Sequence, residues 1–225
     1  MMDRPESDPA VLRDDLKNLR TINKFFGGLA ATRNAITPLL LQMNADREAT
    51  ILDLATGSAD QPLAIVRLAR TLGRRVHIVA VDRHPVMLQV AREMTAGIPE
   101  ISIEAGDLLA LPYPDKSFDI VLCSLALHHF SRDDAIRILR NMSRLSRVGF
   151  IVNDLNRSWP GAWTAWLYTH LTTRNPITRY DSYLSVLRGF TRDELAEMAR
   201  EAGFARFQVY KRPFFRLMLV GTFSC

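Results

Sequence analysis

The chain has 225 residues, of which 48% are hydrophobic and 24% charged. This suffices for one large α/β domain and excludes a mainly disordered, collagen-like or coiled-coil protein. The formal net charge of +5 is spread through 29 basic and 24 acidic residues, with no Lys/Arg block that would by itself mark a polyanionic partner.

Two cysteines, Cys123 and Cys225, make neither a disulfide framework nor a Cys-rich zinc site, and no metal is expected. Residues 1–10 are acidic and proline-bearing, without the basic start and apolar core of a secretory signal. The least polar stretch, 159–171, falls short of the roughly 20 apolar residues that span a bilayer. The expectation is a cytoplasmic chain with no membrane span.

In chain order, Leu12, Leu16, Leu19, Ile22 and Phe26 recur every three to four positions. That spacing predicts a helix over 11–26, ended by Gly27 and Gly28. A second helix is expected over 31–43. Residues 50–55 read as a buried strand, and a turn containing Gly57 leads to a helix over 61–72 with Asp60 as its cap and Pro62 in its first turn. Strands over 76–82, 101–107, 118–125 and 148–153 follow, with helices over 85–95 and 131–145 between them. Beyond the aromatic-rich segment 159–187, Thr191 and Glu194 form a capping box for a helix ending at Gly203. Residues 206–212 and 215–223 read as an antiparallel hairpin at the sheet edge. This alternation implies an α/β fold, a mostly parallel sheet with helices on both faces.

In such sheets ligands bind beyond the carboxyl ends of the strands. A dinucleotide site needs three glycines in the first loop and a helix N-terminus free for phosphate; here those three positions are Ala55, Gly57 and Asp60. A carboxylate at the helix start repels phosphate, and Pro62 removes an amide donor. Asp82, 29 residues after Asp53, ends the second strand where ribose hydroxyls are held. A nucleoside without phosphate beside carboxylates describes S-adenosylmethionine, with its ammonium and sulfonium.

Residues 51–60, Ile-Leu-Asp-Leu-Ala-Thr-Gly-Ser-Ala-Asp, resemble the first motif of the class I methyltransferases. Residues 105–119, Ala-Gly-Asp-Leu-Leu-Ala-Leu-Pro-Tyr-Pro-Asp-Lys-Ser-Phe-Asp, are similar to that family's acidic loop and fourth strand. The sequence departs from the pattern at Ala55 and Ala59, where the family commonly has glycine. The resemblance implies a Rossmann-like seven-stranded sheet closed by an antiparallel hairpin, S-adenosylmethionine as cofactor and S-adenosylhomocysteine as product. It implies that the backbone of Ala55 and Gly57 meets the methionine moiety, that Asp53 orients its ammonium and that Asp82 holds the ribose. Arg83 or His84 then flanks the adenine, Asp107 accepts from its amino group, the Leu108 amide faces a ring nitrogen, and Ser124 contributes backbone near the methionine end.

Residues 1–46 are expected to form a helical lid, with Phe25, Phe26 and Arg33, over a methyltransferase domain at 47–225. An acceptor-side insertion, 156–189, brings Trp159, Trp163, Trp166, Tyr168, Tyr180 and Tyr183 as apolar walls and Arg174, Arg179 and Arg188 nearby. His128 and His129 follow the fourth strand, where a neutral imidazole can take a proton from a phenol or carbon acid; His129 is preferred and Asp154 is a further candidate. The reading is methyl transfer to a small, mainly apolar acceptor, a phenolic polyketide or quinone precursor, on oxygen or carbon. A non-catalytic ligand-binding module and a nucleic-acid methyltransferase are the alternatives. The latter lacks its basic target-binding module here, so no nucleic-acid partner is expected. Oligomeric state has no signature in the chain.

Overall fold

A computed structural model describes residues 8–223; residues 1–7, most of the acidic N-terminal stretch, and Cys225 lie outside the described residues. Two helices lead, α1 (Pro9–Phe25) and α2 (Gly28–Gln42). Helix α1 begins two residues before the expected start at 11 because Asp8 caps it, accepting from the Ala10 amide at 2.8 Å, with Pro9 at the first helical position. Then come β1 (Ala49–Leu54), α3 (Asp60–Thr71), β2 (Val76–Asp82), α4 (Pro85–Met94), β3 (Ile101–Ala105) and β4 (Phe118–Ser124). A short 3₁₀ turn over Leu127–His129 precedes α5 (Arg132–Leu145) and β5 (Ser146–Leu155). The chain closes with α6 (Trp159–Thr172), α7 (Pro176–Arg188), α8 (Arg192–Glu201), β6 (Phe207–Arg212) and β7 (Arg216–Thr222).

The seven strands form one sheet in the order β3-β2-β1-β4-β5-β7-β6. β1 to β5 pair in parallel, and β7 runs antiparallel to both β5 and β6. The hairpin lies at one edge of the sheet, as expected, with β7 paired to β5 and β6 outermost; β3 is the opposite edge. Burial on both faces makes the central strands read as apolar runs. In β4, Ile120 and Leu122 pack towards α2 and α3, while Val121 and Cys123 pack towards α5 and α8.

The aromatic segment resolves into two helices. Ser158 caps α6 and Asn175 caps α7, each followed by a proline in the first turn. The Thr191–Glu194 capping box is formed in both directions. No helix among the described residues is long and apolar enough to cross a membrane.

Candidate functional site

At the carboxyl ends of β1, β2 and β4 a crevice of about 220 Å³ opens, bordered on its outer side by α1. All nine residues expected at a cofactor site line it. β1 and its loop bring Asp53, Ala55 and Gly57; β2 brings Asp82, Arg83 and His84. Asp107 and Leu108 come from beyond β3, and Ser124 ends β4.

The first loop turns sharply, with Ala55, Gly57 and Ala59 at φ 54°, 56° and 58°. Left-handed backbone is free for glycine and costs an alanine about 1–2 kcal/mol. The loop is held by Asp82, whose two oxygens accept the Gly57 and His84 amides, each at 2.9 Å. A bond from the Thr56 amide to the Val81 carbonyl, 3.0 Å, adds to this. Asp60 is not the cap of α3. Ala59 holds that position in left-handed conformation without a side-chain bond, and Asp60 is the first helical residue. Its Oδ2 instead accepts from Asn23 Nδ2 of α1 at 2.6 Å.

Three carboxylates thus share one crevice. Asp53 is buried and its Oδ2 has no hydrogen-bond partner. Burial pushes its carboxyl up to about 8; the Thr56 hydroxyl offsets part of this, and the charges of Asp60 and Asp82 add to the rise. Burial also raises Asp60, against the lowering effects of Asn23 and of the Arg216 charge. Elsewhere, Asp107 Oδ1 accepts the Leu109 amide at 3.0 Å, and Ser124 Oγ accepts from Gln61 at 3.1 Å.

A second cavity, about 140 Å³, lies on the α6–α7 side and shares Leu19, Leu125 and His129 with the first. Leu125, at the junction, also holds left-handed backbone, φ 54°. His128 lines this second cavity. Its Nδ1 is 2.5 Å from Asp154 Oδ1, its amide donates to Asp154 Oδ2 at 3.1 Å, and its Nε2 has no hydrogen-bond partner. Burial alone would raise the Asp154 carboxyl, but the adjoining His128 ring brings it below the usual carboxylate range. His129 stacks beside His128, ring centroids 4.2 Å apart.

The expected aromatic walls divide. Phe26 and Tyr168 line the second cavity, in edge contact at 4.8 Å. Trp163, Trp166, Tyr180, Tyr183 and Arg179 border a separate outer groove. Phe25, Arg33, Trp159, Arg174 and Arg188 are exposed and border none of these cavities. Asp119, the last residue of the second motif, lies at the opposite end of the sheet, buried and bound to Arg47 and Arg147, each at 2.9 Å.

A family model described as a methyltransferase domain matches residues 51–149. The demethylmenaquinone methyltransferase of Geobacillus kaustophilus is 29% identical over 185 residues, covering 76% of this chain and 77% of the relative. That of Thermotoga maritima is 30% identical over 193 residues, covering 80% and 79%. The chain belongs to the class I S-adenosylmethionine-dependent methyltransferases. Among solved structures, a SAM-dependent methyltransferase from Aquifex aeolicus superposes with a TM-score of 0.64 at 14% identity, covering 97% of this chain and all of that one. PigF with S-adenosylhomocysteine gives 0.63 at 19% identity, covering 96% and 60%. This methyltransferase uses S-adenosylmethionine and releases S-adenosylhomocysteine.

Three polar residues of the methyltransferase site escape the motif reading. Asp15 and Asn23 lie on the apolar stripe of α1, and both are buried. Asp15 Oδ1 accepts from Thr178 of α7 at 2.6 Å, and burial pushes its carboxyl up to about 6. Arg216, at the start of β7, is buried, donates to Asn23 Oδ1 at 3.0 Å and is lowered by burial to about 10. Their sequence signal is a polar side chain on an otherwise apolar face.

Proposed function

We propose that this enzyme methylates a small, mainly apolar phenol or reduced quinone, on its oxygen or the adjacent carbon, within the cavity behind α6. The supporting observation is that two cavities of different character share a wall: one surrounded by carboxylates, the other lined mainly by α1, α6 and α7 with Phe26, Tyr168 and Phe215. The demethylmenaquinone methyltransferases named above are the basis for a quinone-like acceptor.

The residues of the first crevice fit the cofactor. An unsatisfied, buried carboxylate oxygen on Asp53 is suited to an ammonium, which restores its ionised form. Asp82 spends one lone pair per oxygen on the loop amides and keeps capacity for ribose hydroxyls. Asp107 Oδ2 is available to an adenine amino group, with Arg83 and His84 flanking the ring. Ala55 and Gly57 offer backbone to the methionine end, next to Ser124. When bound, S-adenosylmethionine supplies a methyl carbon activated by its sulfonium for in-line displacement.

The remaining work is alignment and removal of a proton. Orientation can contribute about 7–11 kcal/mol, and a general base roughly 10²–10⁴-fold. We assign the base to His128: with Nδ1–H donated to Asp154, Nε2 carries the lone pair. Taking the acceptor's hydroxyl proton raises electron density on its oxygen and ortho carbon, either of which can attack; after attack by carbon, loss of that carbon's ring proton to water restores the aromatic ring. His129, at the junction of the cavities, positions the acceptor against the methyl group.

Transfer of labelled methyl to a short-chain demethylmenaquinone analogue in its reduced form tests this. His128→Ala is expected to lower kcat by about 10²–10⁴-fold with S-adenosylhomocysteine affinity unchanged, and Asp154→Asn to follow it more weakly. Full turnover by His128→Ala removes the assignment, and a larger loss in His129→Ala transfers it.

A further inference from the structure

All three tryptophans of the chain, Trp159, Trp163 and Trp166, lie on α6. Trp159, Trp163, Leu167 and Leu171 recur every four residues and share one side of the helix. That side is open: they are 66%, 61%, 53% and 77% exposed. The opposite side, with Gly161, Ala165, Tyr168 and Thr169, lines the acceptor-side cavity. An amphipathic helix of a water-soluble protein turns its large apolar residues inward. On α6 two tryptophans and two leucines face out instead.

The segment that carries this face is basic, and Arg179 borders the groove beside Trp163 and Trp166. Residues 156–189 carry Arg157, Arg174, Arg179 and Arg188 against one carboxylate, Asp181. Arg157 is paired with Glu194 of α8, and Arg174, just beyond the end of α6, is exposed. The β6–β7 turn carries another exposed aromatic residue and two basic ones. Phe214 is exposed there beside exposed Lys211 and Arg212, and Phe214 and Phe215 are held in left-handed backbone at φ 59° and 57°. The Phe214 ring is 5.5 Å from Phe26, which meets Tyr168, so this turn borders the cavity side of α6 rather than its tryptophan face.

We propose that the outer face of α6 docks the enzyme on an anionic lipid surface. Tryptophan rings favour the headgroup boundary, with the apolar ring body inward and the N–H toward water. Leucines of an interfacial helix enter the acyl boundary while arginine and lysine meet anionic headgroups. A purely apolar partner surface would leave this basic rim unmatched. One helix then serves both surfaces: its outer side rests in the lipid and its inner side walls the cavity, so an acceptor dissolved in the bilayer has a short path inward. This last step rests on the apolar-acceptor reading above; lipid docking is measured without turnover, so either can fail alone.

Because every tryptophan is on α6, intrinsic fluorescence reports on this helix directly. The full chain is titrated with phosphatidylcholine vesicles with and without phosphatidylglycerol. The expected result is a blue shift and co-sedimentation with the anionic vesicles, weaker with phosphatidylcholine alone and reversed by salt. Leu167→Ser combined with Leu171→Ser keeps all three fluorophores, alters only exposed positions and is expected to lower partitioning about tenfold. Circular dichroism verifies its fold. Absence of a shift with anionic vesicles overturns the proposal, as does wild-type partitioning by the double variant. A concentration-dependent dimer in light scattering, with no response to vesicles, overturns it in favour of self-association.

Discussion

Asp53, next to last in β1, has one carboxylate oxygen lacking a hydrogen bond, and burial pushes its carboxyl up to about 8. The direction of the consequence follows from linkage. A carboxyl whose folded pKa exceeds its unfolded value binds more protons when folded, so stability falls as pH rises from about 4 towards 8. Without cofactor, Asp53→Asn is therefore expected to unfold at higher denaturant concentration than the wild type at pH 8 and above, by about 1–3 kcal/mol, with the gap closing in acid. Cofactor binding moves the other way: a cation restores the ionised carboxylate, so binding near neutral pH releases a proton and strengthens as pH approaches 8. Calorimetry in buffers of different ionisation enthalpy reads this release, and its persistence in Asp53→Asn rules Asp53 out as the source. Ala55 carries a different burden at the same turn, with φ 54°. Ala55→Gly relieves left-handed strain and is expected to add about 1 kcal/mol of stability with cofactor affinity retained; a destabilised variant in thermal melts would show that the methyl packing outweighs the strain.

Helix α1 meets both cavities through one chain of hydrogen bonds. Arg216 of β7 donates to Asn23 Oδ1, and Asn23 Nδ2 donates to Asp60 of α3. Gly28, the first residue of α2, leaves room for it: a Cβ there would stand 1.6 Å from Asn23 Oδ1 and 2.7 Å from Arg216 Nη2. Gly28→Ala must displace both partners and is expected to cost about 1–3 kcal/mol, measured by urea unfolding, with weakened cofactor binding; unchanged values mean the chain relaxes elsewhere. These elements also mark what a sequence can carry. The parallel strands were legible because burial on both faces writes continuous apolar runs, and the carboxylates were legible because each stands where such a run stops. Helices α6 and α7 were not, since α6 has apolar residues on its cavity side and its open side and so shows no single stripe. The place of β7 inside the sheet was not legible either, because a hairpin pattern is the same whichever strand pairs inward. Asp15, Asn23 and Arg216 were missed for a related reason: their partners lie far along the chain, and only folding brings them to one place. Asp119 misleads in the opposite way, since it belongs to the matched motif yet binds Arg47 and Arg147 at the far end of the sheet.

Across the whole molecule, the sheet and the site differ in what they require. Both large core clusters are built from the strands with α2, α3, α5 and α8, and neither contains a residue of α1. Helix α2, with Ile36, Leu39 and Leu40 buried, belongs to the core, so within residues 1–46 we assign the covering role to α1. That helix is fastened at its margins: Leu16 packs on Met87 and Val90 of α4, and Asn175 Nδ2 donates to the Val11 carbonyl at 2.9 Å. Yet α1 lends Leu16, Leu19, Arg20 and Asn23 to the first crevice and Asp15, Leu19 and Ile22 to the second. Removing residues 1–26 should therefore separate folding from function. The shortened chain is expected to keep its circular dichroism and a cooperative, somewhat lower melting transition, because the sheet retains both clusters. It should bind S-adenosylhomocysteine at least about tenfold more weakly, since the crevice loses one wall and a buried ligand loses its exclusion from water. Calorimetric titration of the truncated protein decides the matter: wild-type affinity would make α1 a bystander to the cofactor, and loss of the cooperative transition would place it in the core instead.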